Sequence, residues 1–175
     1  MNDCFEIRKS SIEGVGAFAT AEIPKGQVIC TFQGTRLSIP QLKEKYALGE
    51  ERSDDPLQIE DSSYLDLDEP YVFFNHSCEP NAGMRGLGTL FALRDIAQSE
   101  EITYDYSTTE WSDDVAWGVN WAELWRVPCH CGSVTCRGEM SGCYLLPEER
   151  KRYYLAQGAL MDFIVPKVKA EFEQK

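Results

Sequence analysis

The sequence contains no long hydrophobic run. Nowhere in its 175 residues do about 18 apolar side chains follow one another, the length a helix needs to cross a bilayer, so a membrane span is not expected. Basic charge is scarce and unclustered, with 17 Lys and Arg against 29 Asp and Glu and a formal net charge of -12. A phosphate backbone recruits clustered cations, and direct nucleic-acid binding is therefore not expected. An acidic surface attracts basic proteins or peptides, and it also keeps a small protein soluble. The first residues, Met-Asn-Asp-Cys-Phe-Glu, lack the basic-then-apolar order of a secretory signal, so the expectation is an intracellular, soluble chain, with cytoplasm and nucleus not distinguished. Internal repeats and low-complexity segments are missing too, and nothing signals an oligomeric state. With 43% hydrophobic residues, the length suits one main domain with an appendage rather than two independent cores.

Seven cysteines are present, and Cys129, Cys131 and Cys136 fall within eight residues. That spacing is too tight for a disulfide framework and points to metal-bound thiolates in a reducing compartment. A structural zinc site takes four protein ligands, and Gly132-Ser133 lets the chain turn back between the second and third sulfur. The fourth ligand must be remote. Cys78 is the first candidate and Cys143 the second, because the side chain of His130 should diverge from its immediate neighbours. Cys4, Cys30 and Cys143 then read as ordinary buried or free thiols.

Short apolar runs broken by Gly and Pro predict strands at 5–7, 16–19, 28–32, 64–67, 89–93 and 101–104. Ile23-Pro24-Lys25-Gly26 and Gly86-Leu87-Gly88 supply turns. Ser38, Pro40 and Gly49 frame one short helix within 38–51, the acidic stretch 50–61 reads as a loop, and 147–157 and 160–172 read as helices with Pro166 at a kink or start. Trp117, Trp121 and Trp125 recur every fourth residue, as on one face of a short helix, where core packing is the default and covering the site is the alternative. Taken singly, other motifs are weak. Gly14-Val15-Gly16 lacks the third glycine of a dinucleotide fingerprint and reads as a turn. Asn75-His76 reads as a hydrogen-bonded pair, and 101–106 as a half-buried strand whose two tyrosines pack.

Their order changes the reading. Gly14-Val15-Gly16, then Asn75-His76-Ser77-Cys78-Glu79-Pro80-Asn81, then Glu100-Glu101-Ile102-Thr103-Tyr104-Asp105-Tyr106, then Cys129-x-Cys131 and Cys136-Arg137-Gly138 resembles the SET-domain protein-lysine methyltransferases over roughly residues 4 to 140. The resemblance implies a mainly β (α+β) fold, a β-clip of small sheets with a knot-like crossing, followed by a zinc-binding post-SET loop and C-terminal helices. It divides the chain into a SET domain at 4–112, a post-SET segment at 113–143 and a helical extension at 144–175. It further implies that Gly14, Val15, Gly16, Asn75 and His76 bind S-adenosylmethionine, that Cys78, Cys129, Cys131 and Cys136 hold one structural zinc ion, and that Tyr106 is catalytic. Tyr104 falls where family members set the degree of methylation, and a tyrosine there implies mono- or dimethylation. The partner implied is a protein or peptide with a target lysine, histones among them. The pattern is departed from at Val15, Thr35 and Val72, where many members carry tryptophan, glutamate and arginine, and Tyr64 is a candidate for the lysine channel for which packing is the default.

The chemistry sets its own demands. Displacement at a sulfonium needs a neutral amine, and a lysine of pKa near 10.4 costs about 4.6 kcal/mol to deprotonate at pH 7. A cationic donor and an apolar channel both lower that pKa, so water can take the proton and alignment is the main contribution left to Tyr106. The competing expectation is an idle module of the same fold that binds a basic peptide.

Overall fold

Apolar runs of only four or five residues, cut by glycine and proline, cannot build one wide sheet, and the described residues form four small antiparallel ones. The computed structural model describes residues 4–50, 55–111, 117–118 and 125–173. Strands β1 (Phe5–Lys9) and β2 (Val15–Ala19) pair as a hairpin in which Lys9 faces Val15. Strands β3 (Val28–Thr31), β7 (Ala82–Arg85) and β8 (Thr89–Ala92) form a sheet of order β3-β8-β7. A third sheet, of order β4-β6-β5, joins β4 (Gly34–Ser38), β5 (Leu57–Glu60) and β6 (Ser63–Leu67). The fourth is the two-residue pair β9 (Val127–Pro128) and β10 (Glu139–Met140).

Helix α1 (Ile39–Leu48) starts and stops where its end residues dictate. Pro40 sits in the first turn, Gln41 Oε1 accepts from Ser38 N at 2.9 Å, and Gly49 closes the helix at φ 70°. Helices α2 (Glu148–Gln157) and α3 (Val165–Glu173) follow the cysteines, with Pro166 in the first turn of α3. The helices and the link between them are not peripheral: Tyr154 of α2, Leu160, Met161 and Ile164 of the link and Val168 of α3 lie fully buried in the same core as Ala17, Met84, Leu90 and Ile102. A smaller cluster of Leu37, Leu42, Tyr64, Trp117 and Trp125 fills the space between α1 and β6, and Tyr106 packs against both clusters.

Two expectations are corrected. Residues 101–104 are not a ladder strand; the segment makes single bridges, Glu101 to Phe18 and Tyr104 to His76, and Ile102, Thr103, Tyr104 and Asp105 are all buried rather than alternating. It is threaded through the molecule, so a two-residue period has no solvent face to report. The acidic stretch 50–61 is not all loop, because Leu57–Glu60 is β5, whose Leu57, Gln58 and Ile59 are buried. The proposed tryptophan helix falls largely outside the described residues, as does Trp121.

Candidate active site

The threaded segment is held by its neighbours in sequence order. Tyr104 N donates to Asn75 O at 3.3 Å and Ser77 N donates to Tyr104 O at 3.1 Å, so 101–106 runs parallel beside the Asn75 loop. Asn81, 2% exposed, secures the approach: its Oδ1 accepts from Thr103 N at 2.9 Å and its Nδ2 donates to Glu101 O at 2.7 Å. This places Tyr104 and Tyr106 with ring centroids 4.8 Å apart, and Tyr104 edge-on to Phe32 at 5.8 Å. Burial pushes the Tyr104 hydroxyl well above the usual phenol range, so it stays a neutral hydrogen-bonding group. Tyr106 donates its hydroxyl proton to Phe74 O at 2.8 Å, which leaves its oxygen a role as acceptor.

A cavity of about 330 Å³ opens beside Tyr106, lined by Gly14, Val15, Asn75, His76 and, from the region around the fourth sheet, His130 and Met140. The hairpin loop 10–14 forms one wall, and Gly14 turns it at φ 46°. Beneath it lies a clamp. Glu101 accepts from Ser10 Oγ at 2.8 Å and from Asn75 Nδ2 at 2.7 Å, and Asn75 Nδ2 also reaches Val15 O at 2.9 Å. Gly16 has no room for a side chain there, since a Cβ would meet Glu101 Oε1 at 2.1 Å and Asn75 Nδ2 at 2.9 Å.

The thiols converge. One ligand atom each from Cys78, Cys129, Cys131 and Cys136 lies within 4.8 Å of the others, while Cys143 is buried in the main core. Four sulfurs about 2.3 Å from a tetrahedral ion stand roughly 3.8 Å apart, and Cys78 Sγ is 3.8 Å from Cys129 Sγ. Geometry and donor chemistry thus suit one thiolate-preferring metal ion. Burial pushes the Cys78 thiol up to about 11, a cost that a bound cation removes.

Between the cluster and the cavity lies a network that spacing in the sequence does not announce. Asp105, fully buried, takes both arms of Arg137 at 2.8 and 2.7 Å and the Tyr154 hydroxyl at 2.8 Å. Burial works against its charge, but His76, Arg137 and Tyr154 together hold its carboxyl below the ordinary range. His76 itself is pushed down to about 4 by burial and is neutral at physiological pH. Asn81, Glu101, Asp105, Arg137 and His130 were not singled out by the motifs as site residues. Asn81, Glu101, Asp105 and Arg137 all stand inside the motifs, an acid between two tyrosines and an arginine beside Cys136 among them, but nothing in their spacing assigns them partners.

A buried tyrosine segment beside an asparagine loop, a glycine-turned cavity and a remote-plus-local sulfur cluster meet in one mainly β fold of small sheets. The sequence family described as "SET domain" matches residues 14–107, more than half of the chain, and the chain belongs to that family. It is 32% identical over 143 residues to "Histone-lysine N-methyltransferase, H3 lysine-4 specific" of Chaetomium globosum, an alignment covering 74% of this chain and 12% of that protein. "Histone-lysine N-methyltransferase trithorax" of Drosophila virilis is 30% identical over 147 residues, covering 77% of this chain and 4% of the relative. The chain therefore spans a small part of the curated relatives it matches. The methyltransferase domain of human histone-lysine N-methyltransferase SETMAR superposes with a TM-score of 0.59 at 25% identity, over 79% of this chain and 58% of that one.

Proposed function

We propose that this chain is a protein-lysine N-methyltransferase that uses S-adenosylmethionine, with one structural zinc ion held by Cys78, Cys129, Cys131 and Cys136. The observation that carries the reading is the position of Tyr106, at the edge of the glycine-turned cavity and 4.8 Å from the Tyr104 ring. A cavity of about 330 Å³ falls within the range of small-molecule sites, roughly 300–1,000 Å³. Main-chain groups of the loop at Gly14 and Val15 would hold the polar end of the cofactor, and His130 and Met140 supply broad apolar contact for a ring. When bound, the cofactor supplies a methyl group on a sulfonium.

The protein's own part is alignment and solvation. Tyr106 gives the cavity an aromatic face for an aliphatic lysine stem, backed by Tyr104 and, behind it, Phe32, and exclusion of bulk water favours the neutral amine. Tyr106 donates its hydroxyl hydrogen bond to Phe74 O and keeps its oxygen as an acceptor, and Tyr104 takes up space beside it. Mono- or dimethyl-lysine is the proposed product. The names of the relatives favour a histone as substrate, and the net charge of -12 suits a basic protein. Among the described residues no helix is long and apolar enough to cross a membrane.

Incubation with labelled S-adenosylmethionine and either histones or a proteome extract, followed by mass spectrometry of modified lysines, tests the proposal. Wild type should transfer label, and Tyr106→Phe should lose about 10²-fold or more in kcat. No incorporation by wild type on any substrate would refute it and favour the idle peptide-binding module.

A further inference from the structure

Both ring nitrogens of His76 are engaged inside the protein. Nδ1 accepts the main-chain N–H of Tyr106 at 3.2 Å, and Nε2 lies 3.3 Å from Cys78 Sγ. A nitrogen that accepts carries no proton, so the neutral ring holds its proton on Nε2, aimed at the sulfur. The ring also meets Tyr106 edge-on, with centroids 5.4 Å apart. A second path leaves the same sulfur: Arg137 N donates to Cys78 Sγ at 3.4 Å while its guanidinium grips Asp105 at 2.7 and 2.8 Å. Two adjacent residues of the threaded segment, Asp105 and Tyr106, are thus each held from Cys78 through one intervening side chain.

We propose that His76 is a positioning residue that transmits the placement of the Cys78 sulfur to the main chain of Tyr106, an inference that rests on the methyltransferase reading above. Cys78, bound to a metal ion as a thiolate, would be a fixed acceptor for Nε2–H. Without the ion the sulfur keeps the Arg137 N–H at 3.4 Å, but Nε2–H then faces a thiol, a weaker acceptor than a thiolate, which loosens the contact that orients the ring's other face. Groups hydrogen-bonded behind a metal ligand tune the ligand in just this way, and losing one costs about 10–100-fold in metal affinity or activity. If the cluster merely fastens the region 125–140 to the body, the two ends of the ring carry no separate effects.

Substitutions separate the ends. Asn at 76 keeps an oxygen where Nδ1 stands and cannot reach the sulfur; Gln at 76 reaches toward the sulfur and withdraws from the Tyr106 amide. In the full zinc-loaded chain, His76→Asn should release zinc to a chelating dye about 10–100-fold faster while hydrogen exchange of the Tyr106 amide stays near the wild-type rate. His76→Gln should release zinc at close to the wild-type rate and speed exchange of the Tyr106 amide about 10–100-fold. Parallel changes in both quantities for both variants, or wild-type exchange of the Tyr106 amide in both, overturn the proposal.

Native-state hydrogen exchange on the wild type needs no variant. Removal of zinc should speed exchange of the Tyr106 amide, bonded to His76, more than that of the Tyr104 amide, bonded to Asn75 O. Equal acceleration of the two would also overturn it. A wild type that transfers no methyl group would defeat the functional reading, while zinc release and hydrogen exchange would still judge the role of His76.

Discussion

At the scale of single residues, the site turns on whether one atom can be added or removed. Tyr104 packs 4.8 Å from Tyr106 and its buried hydroxyl stays protonated, so it fills space beside the proposed amine position. Tyr104→Phe should preserve the fold and shift the product toward trimethyl-lysine, read by mass spectrometry of a peptide substrate; an unchanged product ratio would remove Tyr104 from the proposed role. Gly16 gives the opposite test. Gly16→Ala drives a Cβ into the Glu101 and Asn75 side chains that hold the cavity loop. Displacing such a partly buried clamp forfeits hydrogen bonds worth about 0.5–1.5 kcal/mol each, and calorimetry should show S-adenosylmethionine binding weakened by a corresponding factor; unchanged affinity would remove the clamp from the proposed role. The Gly-x-Gly pattern was visible in the sequence, but its second glycine is required by Glu101, 85 positions later, and no local pattern carries that dependence.

At the scale of elements, Asp105 joins three pieces of the fold: the threaded segment that bears it, the region after Cys136 through Arg137, and α2 through Tyr154. Removing one partner of a buried ion pair leaves the other unmatched, so Asp105→Asn should cost about 3–5 kcal/mol, measured by denaturant unfolding. Its folded pKa is depressed. The stability it contributes is present above the unfolded carboxylate pKa near 3.9 and is lost as pH falls through the lower folded value. The variant should therefore show a shallower loss of stability on acidification than wild type, and matching slopes would deny Asp105 this part. This element scale also shows what sequence patterns could reveal. Strands β1, β2, β3, β6 and β8 and helix α1 followed from apolar runs, caps and turns, whereas β4, with only Leu37 buried, and β7, with Ala82, Gly83 and Met84 turned inward, carry too few large apolar residues to mark a run. The segment 101–106 did not follow either, because burial on all sides erases the alternation that marks a strand, and β5 was hidden in an acidic stretch whose buried residues, among those described, are Leu57, Gln58 and Ile59. The four cysteines were legible because thiolate chemistry imposes its own count, whereas Arg137 gripping Asp105 has no such rule.

At the scale of the whole molecule, the question is whether residues after the cysteines are an appendage or part of the core. Length and hydrophobic content suggested an appendage, and apolar spacing put helices at 147–157 and 160–172; α2 matches the first, while α3 begins only at Val165, so Pro166 marks a start rather than a kink. Packing gives them a larger part. Met161 N donates to Thr108 O at 3.3 Å, Ala159 Cβ lies 2.7 Å from where a Cβ on Gly83 would stand, and Tyr154 reaches Asp105. Tyr154, Leu160, Met161, Ile164 and Val168 are each at most 1% exposed. Burying a large apolar side chain contributes about 1.5–3 kcal/mol, and five of them together rival the whole stability of an ordinary domain, about 5–15 kcal/mol. Removing residues 147–175 should therefore abolish cooperative unfolding rather than trim an ornament, with loss of near-ultraviolet circular dichroism and gain of dye-binding apolar surface. A truncated chain that still melts cooperatively within a few degrees of wild type would mean that β7 and β8 can close their core without α2 and α3, and that the helices are an addition to a finished fold.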